Sequence, residues 1–430
     1  MPQDGGASGV AKRRILASIV VPPHMSVSGG ARAAEQLSAA VSSQCDVTVA
    51  SMMNGAAAIP SAESQGPVHR IMVRSWRPPL LPWSRLPSRY STLFYRSDLP
   101  AIIGRGGYDL VHLHNPMPAL EFERVAKACR ATGTPYVIST HGFNEVANGA
   151  RIYGFDRLRS LAWQQLVVAP VTRAVRRAAA IFALSPSDIS IVRGMGYDGP
   201  IEIVGNGVPL PAPASLAADR AVLERLGIPV ERDSSEISCM FLANHTPNKG
   251  LPDLLQAFSR LRCPYLLVVG GQQRDGIDYE RYSRACLPGQ RIVVVGRVTD
   301  REVAALFRRA DLFVFPTLAD TFPLVVLEAM SHGVPVLASS VGGIPYQVDE
   351  NCGVLVPPGD PAALADAVQM LARDRARLVG MGDHARARVV REFSWARAAE
   401  QAVAGYGRVL GGHGATPPRS SVSPELPDVD

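Results

Sequence analysis

The sequence predicts an α/β protein built from two doubly wound domains. Short β-branched runs alternate along the chain with Ala/Leu/Arg-rich stretches of helical period. The runs are continuously apolar, as expected of parallel strands covered by helices on both faces. The alternation breaks once, at Asn206-Gly207-Val208-Pro209-Leu210-Pro211-Ala212-Pro213, where three prolines fall within five residues and mark a linker. A chain of 430 residues is also too long for one core of ordinary size.

Six runs form the first sheet: residues 15–21, 47–51, 110–114, 136–140, 181–184 and 201–204, with helices such as 30–43 and 121–132 between them. The first run follows Lys12-Arg13-Arg14 and superficially resembles a signal peptide. It is only seven residues long, ends in Pro22-Pro23 and lacks a small-x-small cleavage site, so it reads as a strand. After the linker the alternation restarts, with strands expected at 238–243, 265–269, 291–295, 312–315, 334–338 and 353–356. A last helix is expected over 395–410. The Gly/Pro/Ser-rich tail beyond it is expected to be disordered.

Composition excludes several classes. With 47% hydrophobic and 19% charged residues the chain is neither disordered nor fibrous. No window reaches the ~18–20 uninterrupted apolar residues of a membrane span. Six cysteines are scattered with no C-x-x-C pair, which argues against a zinc site or disulfide framework and suits a reducing cytoplasm. The net charge of +6 is uneven: residues 1–208 hold 21 Lys+Arg against 13 Asp+Glu, the remainder 23 against 25. Only Lys12, Lys127 and Lys249 are lysines, so arginine abundance reflects a general bias. With no recognition motif present, nucleic acid is not an expected partner.

Two doubly wound domains bring two sets of strand C-terminal ends around one cleft. Gly-rich loops and helix N-termini there present free N–H groups, so a nucleotide or phosphorylated ligand is expected. The most informative stretch is 315–330, Phe-Pro-Thr-Leu-Ala-Asp-Thr-Phe-Pro-Leu-Val-Val-Leu-Glu-Ala-Met. A strand ends at Phe315, a loop follows, and a helix begins near residues 322–324. The free N–H groups near Leu324 and Val325 suit a diphosphate. Asp320 would then face a sugar and Glu328, eight residues on, a ribose. The alternative for Glu328 is a solvated or capping residue. Its apolar surroundings weigh against that, since a carboxylate without a partner is costly there.

This stretch resembles the E-x7-E motif of retaining glycosyltransferases of the GT-B fold, family 4 in particular, with Asp320 where the first Glu usually stands. The supporting pieces, in order, are Ser28-Gly29-Gly30, Tyr108-Asp109-Leu110-Val111-His112-Leu113-His114, Ser139-Thr140-His141-Gly142, Ile203-Val204-Gly205-Asn206-Gly207-Val208, Pro247-Asn248-Lys249-Gly250 and Val341-Gly342-Gly343-Ile344-Pro345. The resemblance runs from about residue 14 to 410. It implies Rossmann-like domains at 1–208 (acceptor) and 209–394 (nucleotide sugar), facing a central cleft, a helix at 395–412 returning to the first domain, and a disordered tail at 413–430.

It also implies roles. Gly29 and Gly30 would let the backbone approach the donor phosphate or the acceptor. His141 would lie by the donor sugar, and His114 is the acceptor-side candidate, a satisfied structural histidine being the alternative for each. Lys249 would contact the diphosphate as a point charge. Arg297 and Val298 fall in the loop that brackets the base, and Thr321 and Phe322 would bind the donor. Asn244 stands where the family usually has an Arg, so one positive charge is missing. Tyr346 replaces the Glu that commonly follows G-G-I-P. No D-x-D lies at a strand end, Asp428-Val429-Asp430 being in the tail, so neither a metal nor another cofactor is expected.

The implied activity is sugar transfer from a nucleotide-diphosphate sugar to an acceptor hydroxyl with retention, the acceptor being a lipid-linked or polysaccharide precursor or a small molecule. An epimerase or phosphorylase on the same fold is one competitor; an inactive sugar-nucleotide-binding protein, favoured by Asn244, is the other. Residues 70–105 hold seven arginines, one acid (Asp98) and interleaved aromatics including Trp76 and Trp83. That composition suits a peripheral contact with an anionic membrane surface, the alternative being a solvated helical hairpin.

Overall fold

The computed structural model describes residues 12–19, 29–51, 68–78, 92–213, 215–273 and 276–411. Ser28, the core of the basic segment (79–91, with Trp83, Arg85 and Arg89) and the tail lie outside the described residues. Nine strands belong to the first half: β1 (Arg14–Ile19), β2 (Asp46–Ser51), β3 (Val68–Met72), β4 (Ser75–Trp76), β5 (Arg96–Ser97), β6 (Leu110–Leu113), β7 (Tyr136–Ser139), β8 (Ala180–Ala183) and β9 (Ile201–Ile203). Six follow: β10 (Ile237–Leu242), β11 (Tyr265–Gly270), β12 (Gln290–Gly296), β13 (Leu312–Phe315), β14 (Val336–Ser339) and β15 (Gly353–Val356). One sheet has the order β3-β2-β1-β6-β7-β8-β9 and the other β12-β11-β10-β13-β14-β15. Every pairing within these two sheets is parallel. The central strands are buried along their whole length, which is why they read as unbroken apolar runs.

Two details differ from expectation. β3 is an added edge strand, with His69, Arg70 and Met72 exposed, so its sequence Val-His-Arg-Ile-Met carries no continuous apolar signal. β14 starts at Val336 rather than 334, because Pro335 has no N–H to give the ladder, although its carbonyl accepts from Phe313. The described parts of the basic segment are not a helical hairpin: β3 is followed by the antiparallel β4–β5 pair and a short helix, Leu99–Gly104.

The chain crosses between the domains twice, at neighbouring points. Val208 N–H donates to the Phe393 carbonyl at 2.9 Å. Gly207 lies so close to the second crossing that a Cβ there would sit 2.3 Å from the Trp395 nitrogen. The final helix, Trp395–Gly411, then packs on the first domain. Its small-residue face (Ala398, Ala399, Ala402) joins Tyr406 and Val409 in a core shared with Ile15, Leu37 and Phe182. Gly405 allows the closest approach, since a Cβ there would lie 2.6 Å from the Phe182 ring.

Candidate active site

In each parallel sheet the strand order reverses once, between β1 and β6 and between β10 and β13. At such switch points the loops leaving the strand C-termini diverge and open a crevice. The loops at the strand C-termini of the two domains meet, those after β8 and β9 facing those after β13 and β14. A Cβ on Gly205 would be 3.5 Å from the Phe322 ring, and one on Gly343 would be 3.1 Å from Ser185 Oγ. Arg32 Nη2 donates to Asp300 Oδ2 at 2.8 Å.

At the second-domain switch point, the loop after β10 carries Lys249 and the loop after β13 carries Asp320. Their side chains meet: Lys249 Nζ donates to Asp320 Oδ2 at 2.5 Å, and lies 5.7 Å from the centre of the Phe315 ring. Backbone packing enforces this meeting. Gly250 has φ of 69°, and a Cβ on it would sit 1.8 Å from the Pro316 carbonyl oxygen. The Asn248 carbonyl accepts from Leu318 N–H at 2.8 Å and Thr317 Oγ1 at 3.0 Å. Asp320 Oδ1 accepts from Thr321 N–H at 3.1 Å, and the Thr321 carbonyl accepts from Gly343 N–H at 2.7 Å.

The helix Leu324–Ser331 opens behind Asp320. Its N-cap is Pro323, which has no side-chain acceptor to cover the first-turn N–H groups of Leu324 and Val325. Glu328 follows one turn inside. It is half-buried, desolvation raises its carboxyl, and its carboxylate has no hydrogen bond among the described residues. The Arg32 and Asp300 charges act on it in opposite senses, Arg32 lowering and Asp300 raising its carboxyl. Phe322, expected at the donor site, packs its ring against Phe393 at 6.1 Å and Tyr346 at 6.4 Å, toward the crossing point. Tyr346, with no role expected from the sequence, completes that aromatic group. Asn244 and Arg297 are exposed, and Val298 is half-buried in the loop after β12.

At the first-domain switch point, Gly29 and Gly30 open the helix Gly29–Val41. A Cβ on Gly30 would meet the His141 side chain at 3.4 Å. His141 follows β7 and is buried, and desolvation lowers its imidazole to about 4. His112 and His114 point to the same side, with ring centres 3.8 Å apart, and the His114 ring is 5.9 Å from that of His141. The two differ sharply in bonding. His112 is held between Tyr406 Oη at 2.7 Å and Ser139 Oγ at 2.8 Å, and burial lowers it to about 3. His114 is fully buried with neither ring nitrogen partnered among the described residues, and its imidazole is held well below the ordinary value by burial and by its neighbouring histidines. All three are therefore neutral at pH 7, each able to offer one donor and one acceptor. Sequence reasoning did not single out Arg32, Asp300 or Tyr406, whose partners are far away in the chain.

Two parallel-sheet domains whose strand C-terminal loops face each other are the architecture of GT-B glycosyltransferases, and the comparisons agree. Residues 236–374 match the family model for glycosyl transferases group 1, and residues 27–211 that for glycosyltransferase family 4. The D-inositol 3-phosphate glycosyltransferase of Xylanimonas cellulosilytica is 32% identical over 68% of this chain and 70% of its own. An uncharacterized glycosyltransferase of Methanocaldococcus jannaschii is 25% identical over 70% of this chain and 76% of its own. Among solved structures, Anabaena Alr3699/HepE in complex with UDP superposes with a TM-score of 0.68 at 17% identity, covering 92% of this chain and 99% of that one. Sucrose-phosphate synthase from Thermosynechococcus elongatus superposes with a TM-score of 0.68 at 21% identity, covering 93% and 100%. The chain belongs to the group 1 glycosyltransferases of family 4.

Proposed function

We propose that this chain transfers a glycosyl group from a nucleotide-diphosphate sugar to an acceptor hydroxyl with retention at the anomeric carbon. The observation that carries the reading is the second-domain switch point, where Lys249, Asp320, the uncapped start of the helix Leu324–Ser331 and Glu328 stand in succession. The Lys249 ammonium and the Leu324 and Val325 N–H groups receive the diphosphate and stabilise it as it leaves. Asp320, released from Lys249 by the incoming phosphate, faces the sugar, and Glu328 accepts from the ribose hydroxyls. Arg297 and Val298 bracket the base. Gly29 and Gly30 admit the donor's phosphate end beside His141, and His114 orients the acceptor.

The acceptor oxygen attacks the anomeric carbon on the face from which the diphosphate departs. The bond from that carbon to the phosphate oxygen breaks, the bond to the acceptor oxygen forms, and the acceptor proton passes to the leaving phosphate oxygen. This scheme needs no metal. The exposed Asn244 supports a second reading, a protein that binds the nucleotide sugar without turnover.

The test is a screen of nucleotide sugars by calorimetry, then of acceptors, with NMR of the product's anomeric configuration. Glu328→Ala should weaken donor binding about tenfold or more, the loss of a charge-assisted hydrogen bond of ~1.5–3 kcal/mol. Turnover should persist in EDTA. Unchanged affinity in the variant, an inverted product, or an EDTA loss restored by Mn²⁺ would each refute part of the scheme. Epimerised donor without acceptor would replace it altogether.

A further inference from the structure

Arg32 lies three residues into the helix Gly29–Val41, just past the Gly29-Gly30 pair at the first-domain switch point. Its bond to Asp300 Oδ2, 2.8 Å long, spans the cleft to the helix Asp300–Arg309 of the second domain. Neither domain needs this bond. The second helix is already closed by a capping box, Thr299 with Glu302, and its N-terminus favours the Asp300 charge without help. The Asp300 side chain is 83% exposed and that of Arg32 37%, so the pair is readily exchanged.

Among the described residues the phosphate has one lysine to meet it on the donor side. A nucleoside diphosphate carries several negative charges. Lys249 is the single lysine of the second domain and is already bonded to Asp320, and Asn244 is neutral. Arg32 sits in the first turn of the helix that Gly29 and Gly30 open, and its bond to Asp300 brings the guanidinium to the second-domain side of the cleft. A guanidinium is a planar fork of donors matched to two phosphate oxygens.

We propose that Arg32 is a donor-binding residue: it leaves Asp300 for the phosphate of the nucleotide sugar, supplies from the first domain the charge that Asn244 does not, and draws the domains together over the donor. This rests on the nucleotide-sugar reading above. Asp300 holds Arg32 in place until the donor arrives and competes with it for the guanidinium.

The experiment measures UDP and GDP binding by calorimetry for the wild type and for Arg32→Ala, Arg32→Lys, Asp300→Ala and Glu328→Ala. Arg32→Ala should weaken binding of the preferred nucleotide tenfold or more, with Arg32→Lys recovering part of the loss. Asp300→Ala should leave affinity unchanged or raise it, because a competitor has gone. Equal losses in Arg32→Ala and Asp300→Ala would reduce the pair to a structural tie and overturn the proposal. So would wild-type affinity in Arg32→Ala; if Glu328→Ala still weakened binding, the nucleotide-sugar reading would stand without this residue. A wild type that binds neither nucleotide overturns both.

Discussion

At the scale of single residues, the first-domain site separates two histidines of similar burial by what they bond. His112 has a partner on each ring nitrogen, while His114 has none among the described residues. A buried polar group without partners costs stability, and replacing it by an apolar ring removes that cost. His114→Phe should therefore leave the thermal midpoint unchanged or raise it, while acceptor KM rises. His112→Phe should lower stability by about 2–3 kcal/mol, because Tyr406 and Ser139 lose their partner in the interior. Denaturant titration of the two variants checks both signs. A His114→Phe protein that is much less stable would mean that His114 is a structural residue.

At the scale of elements, two loops and one segment matter. The loops after β10 and β13 touch so closely that Gly250 admits no side chain. Gly250→Ala should push them apart, cost about 1–3 kcal/mol of stability and weaken nucleotide binding as Lys249 loses its seat; calorimetry with unchanged affinity would show that the loops do not depend on each other. The segment over 70–105 is less charged in effect than its count of arginines suggests. Arg70 pairs with Glu35, and Arg74 with Asp98 at 3.2 Å. Met72 and Trp76 remain exposed, as does Arg96. Reversible binding to anionic vesicles, lost at high salt and absent with neutral ones, is the expected outcome. Trp76→Ser with Arg96→Ser should weaken it and leave nucleotide binding intact. A wild type that ignores anionic vesicles at low salt would make a soluble acceptor the better choice. No helix of the described residues is long and apolar enough to cross a membrane.

At the scale of the whole molecule, the buried histidines couple stability to pH. Burial lowers His112 to about 3 and His141 to about 4, and holds His114 well below its ordinary value. A depressed histidine means that the unfolded chain binds the extra proton, so stability is fully present above about pH 6.5 and falls as pH drops toward the folded values. Asp188, accepting from Thr140 and Leu184 inside the first domain, is raised to about 6 and works the other way, adding stability as pH falls through that value. Three histidines outweigh one aspartate. Unfolding free energy should fall by about 2–5 kcal/mol between pH 7 and pH 5, as read from urea midpoints. A flat profile would mean that water reaches these rings.

Much of the fold was legible because its signals are local. An apolar run bounded by Gly or Pro states a buried strand wherever it falls, so the parallel sheets could be read in order. Asp320 and Glu328 could be named because each sits at a fixed offset from a strand end or helix start, and Lys249 through the family resemblance. The edge strand β3 escaped because both of its faces are partly open to water, with His69 on one and Arg70 and Met72 on the other. What only the tertiary structure decided is which distant groups meet. Arg32 and Asp300 are 268 residues apart, and His112 and Tyr406 are 294 apart. The Phe322 ring packs at the domain crossing because Tyr346 and Phe393 converge there. Such meetings follow from the order of strands in each sheet and from the return of the last helix across the first domain. Neither leaves a periodic trace in the sequence, because each contact is a single pair rather than a repeated pattern.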